Sequence, residues 1–371
     1  MSRGFSRRRL IQLGGGAAAL ALTCSRGAVA KIRDAKSAGF YLPEESEPHA
    51  RTFMQWPASR KVHPEPFFLD MLQGAIATVA NVIAEFEPVV MLMDQRFAAK
   101  ARRKLSGEVD IWVIPTDGLW CRDAGPLFVR NDDGALAISH LNFNGWGGKQ
   151  VHANDAHIAR RVAERMDLPL FDNGLVGEAG GAEVDGQGTL IAHASSWVNS
   201  NRNVGSKAAV EAQMKQAFGV EKVIWAPGVK GGDITVYHID ALARFTAPSK
   251  VLIQLPEGID PEDPWSAAAF ETYDILADAT DAAGRSLQLT TLPEPYDTLI
   301  KSADFVASYV NYYVCNGAVI SANFGDRETD KEAAHVLAAL YPDREIVSLN
   351  VDPIGETGGG IHCATQQQPV G

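Results

Sequence analysis

Cysteine is scarce in this chain, clustered basic residues are scarcer, and long unbroken apolar runs are missing. The 371 residues hold four cysteines, Cys24, Cys121, Cys315 and Cys363, with no C-x-x-C pair among them. No H-E-x-x-H or paired-histidine spacing accompanies them, so neither a zinc site nor a dithiol redox centre is indicated. No G-x-S-x-G marks a serine nucleophile, and no G-x-G-x-x-G follows a strand to receive a dinucleotide. No metal and no cofactor is expected. Lys and Arg number 34 against 45 Asp and Glu, a net charge of -11. Binding to a phosphate backbone needs clustered basic side chains, so a nucleic-acid partner is not expected. An acidic protein draws cations toward it instead.

What is present reads first as an address. Ser6 and the arginines Arg7, Arg8 and Arg9 precede a Gly/Ala-rich apolar run from Leu13 to Leu22, and Ala28-Val29-Ala30 supplies small residues for cleavage. This is the pattern of a twin-arginine export signal over residues 1–30, with residues 31–371 as a single catalytic domain, periplasmic or secreted. The alternative is a membrane anchor, for which the run is short and rich in glycine. No stable anchor is expected once the signal is cleaved. Cleavage removes Cys24 and leaves three cysteines, so at least one thiol stays unpaired.

The full chain is 46% hydrophobic and 21% charged, enough to bury a core. Helical periodicity marks residues 66–85, 155–166, 206–218, 265–282 and 329–340, and most of these lead into an apolar strand: 89–93, 223–226, 287–292 and 345–349. Shorter strands lie at 126–130 and 135–144. The pattern is about five helix-and-strand units, α/β throughout, with no residue-level repeat. Gly- and Asn-rich loops between the units carry nearly all the distinctive polar residues, where function on a rigid scaffold normally sits.

Four of those loops matter. Thr357-Gly358-Gly359-Gly360-Ile361-His362-Cys363 puts a thiol behind three glycines, which alone reads more readily as a glycine hairpin before a buried structural cysteine than as a thiol at the edge of a pocket. His238 and Asp240 stand two apart, so on an extended strand an acid/base imidazole and a carboxylate would share one face. Asp123 precedes a Gly-Pro turn within Trp120-Cys121-Arg122-Asp123-Ala124-Gly125-Pro126. Glu178 opens Glu178-Ala179-Gly180-Gly181. Taken alone, the last three are as well read as ordinary turns and strand ends.

Together, and in this order, the motifs resemble the agmatine deiminase and bacterial peptidyl-arginine deiminase family. The resemblance spans essentially the whole mature chain through W-C-R-D-A-G-P (120–126), F-N-G-W-G-G-K (143–149), V-D-G-Q-G-T (184–189), N-S-N-R-N (199–203), H-I-D-x-L-A-R-F (238–245), S-Y-V-N-Y-Y (308–313) and G-G-G-I-H-C-A-T-Q-Q-Q-P (358–369). It implies a five-bladed α/β propeller, the pentein fold, with pseudo-fivefold arrangement. It also implies a small cationic guanidine as partner, with Cys363 as nucleophile and His238 as general acid and then base. Asp123 and Asp240 would grip the guanidinium, and Glu178 would orient the histidine. Where the family usually has Asp-Gly this chain has Val236-Tyr237, which with Trp120 would line the part of the pocket that reads the substrate. Agmatine is the first expectation, peptidyl-arginine or another small guanidine the second, and a non-catalytic guanidine-binding module the third. Homo-oligomerisation is left open.

Overall fold

The computed structural model describes residues 33–302 and 305–371. The export signal expected over residues 1–30 lies outside the described residues.

Each helix forms where its sequence offers both a stripe and a start. Pro66–Ile83 begins with proline at its first turn, where the missing N–H costs nothing, and buries Leu69, Leu72, Ile76, Val79, Ala80 and Ile83 at helical spacing. Ser206, Asp263 and Asp326 cap Lys207–Phe218, Pro264–Ala277 and Arg327–Leu340 by accepting backbone N–H groups of their first turns. The helix expected over 265–282 stops at Ala277. Beyond it Asp281 accepts from the backbone N–H groups of Ala283 and Arg285, closing a turn that competes with further helix.

The strands assemble into five sheets built to one plan. In Leu127–Arg130, Leu136–Ser139 and Leu170–Phe171 the first pair is antiparallel and the second parallel, joined by a helical crossover. The same order recurs in Ala182–Val184, Thr189–His193 and Lys222–Ala226, in Ala243–Ala247, Lys250–Leu255 and Gln288–Pro293, and in Tyr313–Cys315, Ala318–Ala322 and Glu345–Leu349. The remaining sheet has four strands, and it is completed from the far end of the chain. Thr365–Pro369 pairs antiparallel with His49–Gln55, which runs parallel to Val89–Met93, itself parallel to Val109–Val113. Middle strands such as Val89–Met93 and Thr189–His193 are buried along their whole length, as expected for strands covered on both faces. The strand expected over 135–144 ends at Ser139, and Asn142 turns the chain with φ of 50°.

This plan repeats a second feature that no sequence repeat announces. Immediately before the first strand of each unit the chain makes a short turn or loop segment. These are Cys121–Ala124 before Leu127, Ala179–Gly181 before Ala182, Ile239–Ala241 before Ala243, Ser308–Tyr312 before Tyr313, and Ile361–Ala364 before Thr365. Asp123, Asp240, Asn311 and Cys363 lie in these segments, and Glu178 and His238 each stand immediately before one.

Candidate active site

Asp123 rides on the one-turn helix Cys121–Ala124, and Glu178 precedes the turn Ala179–Gly181. His238 precedes the turn Ile239–Ala241, which contains Asp240, and Cys363 sits on the turn Ile361–Ala364 behind Gly360. His238 and Asp240 therefore do not lie on an extended strand, as their spacing suggested. His238 caps a 3-10 turn and Asp240 lies within it.

His238 Nε2 lies 3.3 Å from Oε2 of Glu178, and Nδ1 lies 3.7 Å from Oδ2 of Asp123. Oδ2 of Asp240 stands 3.5 Å from the sulfur of Cys363. The convergence is measurable at Gly180, where a β-carbon would stand 2.9 Å from Oδ1 of Asp123, 3.0 Å from Oδ2 of Asp240 and 3.0 Å from Nδ1 of His238. Only glycine lets these three groups approach one point. Trp120 is buried against Gly359, where a β-carbon would meet its ring at 2.6 Å.

Several residues without a role assigned from sequence hold the cluster in place. The indole Nε1 of Trp146 donates to Oδ2 of Asp123 at 2.9 Å, and the Gly180 N–H donates to Oδ1 at 3.3 Å. Nε of Arg202 lies 2.9 Å from both oxygens of Glu178. Asn311, the contribution of the fourth sheet, donates from Nδ2 to the Cys363 sulfur at 3.2 Å and to the Asp240 carbonyl at 3.2 Å. Its Oδ1 accepts the Cys363 N–H at 3.3 Å. His362 donates to Asp240 Oδ2 at 2.7 Å. All of these lie inside motifs already singled out: Trp146 in 143–149, Arg202 in 199–203, Asn311 in 308–313 and His362 in 358–369.

Val236 and Tyr237 are both in the left-handed region, with φ of 65° and 69°, which is costly for a β-branched and an aromatic residue. The turn is over-determined. Asp233 Oδ1 accepts from both backbone N–H groups, Ser195 Oγ donates to the Val236 carbonyl at 2.7 Å, and His193 Nδ1 lies 3.0 Å from the Tyr237 carbonyl. Burial holds His193 near 4, so the neutral ring donates there. The Tyr237 ring stacks on His193 and meets Trp265 edge-on, inside the apolar cluster shared by the sheets that begin at Ala182 and Ala243. Its ring packs there, and its backbone leads directly into His238.

The electrostatics split the cluster. Burial opposes charge on His238, but Asp123, then the hydrogen bond to and charge of Glu178, then Asp240 outweigh it and raise the imidazole to about 9. Burial raises Asp123 to about 6 against the pull of His238. Asp240 is equally buried yet lowered, because its hydrogen bond to His362 and that ring's charge prevail over desolvation. Burial, then Asp240 and Asp123, push the Cys363 thiol well up. The three described cysteines are all unpaired, with Cys121 and Cys315 buried and Cys363 half-buried. Among the described residues no group of three or more His, Cys, Asp or Glu side chains is arranged to hold a metal ion.

The model of the Porphyromonas-type peptidyl-arginine deiminase family matches residues 41–369. A Streptomyces coelicolor relative provisionally designated an agmatine deiminase is 37% identical over 342 residues, 89% of this chain and 99% of its own. The agmatine deiminase of Medicago truncatula is 33% identical over 372 residues, 90% of this chain and 97% of its own. Among solved structures, the agmatine deiminase of Enterococcus faecalis superimposes with a TM-score of 0.83 at 30% identity, over 91% of this chain and 98% of that one. The chain thus belongs to the Porphyromonas-type peptidyl-arginine deiminase family, in company with the agmatine deiminases, and is a hydrolase acting on carbon–nitrogen bonds of linear amidines.

Proposed function

We propose that the protein hydrolyses agmatine to N-carbamoylputrescine and ammonia through a covalent intermediate on Cys363. The observation that carries this reading is the fully buried Asp240 carboxylate, whose Oδ2 stands 3.5 Å from the Cys363 sulfur while its Oδ1 has no hydrogen-bond partner among the described residues. Buried acceptors are normally satisfied, and a planar cation with paired N–H groups would satisfy this one together with Asp123.

The chemistry follows from the charges. A guanidinium is a poor electrophile because its charge is delocalised. Gripped by Asp123 and Asp240, it sits between the carboxylates that hold the thiol up, and its charge offsets theirs, so Cys363 gives up its proton to solvent as substrate arrives. The sulfur adds to the central carbon. His238, an imidazolium at neutral pH, protonates the departing nitrogen, which leaves as ammonia. Water, losing a proton to the now neutral His238, attacks the S-alkylthiouronium, and collapse frees the ureido product and the sulfur. Glu178, tethered by Arg202, keeps the ring aimed.

Agmatine is favoured over free arginine or a C-terminal-arginine peptide because three cations carried by the site motifs are engaged. Arg202 holds Glu178, Arg122 faces Glu45 and Gln367, and Lys149 reaches the carbonyls of Asp233 and Ile234. A substrate carboxylate would lack a partner there. The five like-built sheets support reading the architecture as a five-bladed propeller, and the N-terminal arginines support export. Incubating purified protein with agmatine, free arginine and a C-terminal-arginine peptide, with assay of ureido product, tests the assignment. Turnover of agmatine alone or by far the fastest is expected. Turnover of the peptide without agmatine would transfer the assignment to peptidyl-arginine.

A further inference from the structure

His362 stands one residue before the nucleophile, and the scheme above gives it nothing to do. Its buried ring lies between two carboxylates, Nδ1 2.7 Å from Oδ2 of Asp240 and Nε2 2.8 Å from Oε2 of Glu45. Carboxylates accept, so both nitrogens donate and the ring carries a positive charge. Glu45 is anchored in turn. Arg122 Nη2 reaches its Oε2 and Arg244 Nη2 its Oε1, both at 2.9 Å. Arg122 also donates to Gln367 at 2.7 Å and to the His362 carbonyl at 3.3 Å, while Arg244 meets Glu183 at 3.1 Å. These side chains are buried. The train runs unbroken from the core to one oxygen of Asp240 and leaves the other oxygen unpartnered.

A carboxylate free to turn about its terminal torsion presents either oxygen to its neighbours. With Oδ2 held by His362, Asp240 keeps one orientation, in which that oxygen stands 3.5 Å from the Cys363 sulfur and Oδ1 is left without a partner among the described residues. We propose that His362 is a positioning residue of the reaction: wedged between Asp240 and the anchored Glu45, it fixes the carboxylate that grips the guanidinium. This rests on the reading that Asp240 makes that grip. The competing account is a buried ion pair that contributes only to the fold.

Two substitutions separate the ring's halves. In His362→Asn the amide nitrogen occupies the place of Nδ1 and keeps the bond to Asp240; in His362→Gln it reaches toward Glu45 and leaves Asp240 unheld. The readout is alkylation of Cys363, followed by peptide mass spectrometry. It compares 2-chloroacetamidine, a planar cation, with its neutral counterpart 2-chloroacetamide. In both the sulfur displaces chloride to form a C–S bond, and the thiol proton is lost. The ratio of the two rates reports the cation grip without turnover, and a melting curve accompanies each variant. His362→Gln should lower the ratio by about a hundredfold, the size of a lost hydrogen bond to a charged group, and His362→Asn by about tenfold. A ratio in His362→Gln within twofold of wild type, or a larger loss in His362→Asn, overturns the proposal. Should both variants fail to fold, Glu45→Gln gives the same readout with the ring in place: a lowered ratio supports the proposal and an unchanged one refutes it. Wild-type protein that prefers the amidine yet turns over no guanidine would refute deimination while supporting the grip and its positioning.

Discussion

Asp123 and Asp240 are the same residue type, both fully enclosed, and both converge on the same point beside Gly180, yet their surroundings drive them apart. On the Asp123 side the neighbours are an indole N–H, a backbone N–H and an imidazolium already shared with Glu178. Desolvation wins there, and the carboxyl is raised to about 6. On the Asp240 side a charged ring backed by Glu45 and two arginines wins over desolvation, and the carboxyl is lowered. The lesson is that depth of burial does not set ionisation; what stands behind the group does.

The sharpest way to break this comparison is to neutralise each aspartate in turn. Asp240→Asn strands a buried imidazolium and removes the ionised grip, so kcat/KM should fall about a thousandfold, whereas Asp123→Asn should lose about a hundredfold. Equal losses would erase the asymmetry. Thermal stability should split in opposite directions. A carboxyl whose folded-state value is raised from 3.8 to about 6 disfavours the ionised fold at neutral pH, so Asp123→Asn should raise Tm by about 2 °C. A lowered carboxyl stabilises the fold above its unfolded value and loses that contribution as pH falls through its folded one, so Asp240→Asn should lower Tm by about 5 °C. Calorimetric scans at pH 7.5 decide this.

The pH profile sharpens the comparison further. Catalysis needs Asp123 ionised and His238 protonated, so kcat/KM should rise through about 6 and fall through about 9. Glu178→Gln removes a carboxylate that holds the imidazole up and should move the alkaline limb to lower pH while leaving the acid limb in place. A profile flat from 5 to 10 would sink the assignment of both groups. The smallest effect belongs to Trp146→Phe. It deletes a hydrogen bond that favours the Asp123 anion, so the acid limb should move up, with a loss of about threefold at neutral pH that grows as pH falls.

Much of this site was legible in the chain. Periodicity over 66–85, 206–218 and 329–340 marked the helices that form as Pro66–Ile83, Lys207–Phe218 and Arg327–Leu340, and Cys363, His238, Asp123, Asp240 and Glu178 stood in motifs specific enough to name a family. Residue spacing misled where backbone geometry was unusual. A two-residue gap was read as one strand face, but consecutive left-handed residues at Val236 and Tyr237 turn the chain into a 3-10 corner, and nothing in a β-branched and an aromatic residue signals that conformation. Trp146, Arg202, Asn311 and His362 were visible within motifs but mute, because their partners are far away along the chain: Glu45 and His362 touch across 317 residues.

The sequence by itself determined the α/β elements, the free thiol and the set of residue types that deimination requires, since these depend on local periodicity and on chemistry carried by single side chains. Only the tertiary structure decided that five short segments, each placed before the first strand of a like-built sheet, meet at one point. It also decided that the last strand completes the first sheet and that two aspartates there carry opposite shifts. Pairing across hundreds of residues and the charges gathered behind a buried group are properties of packing, and no run of neighbouring residues encodes them.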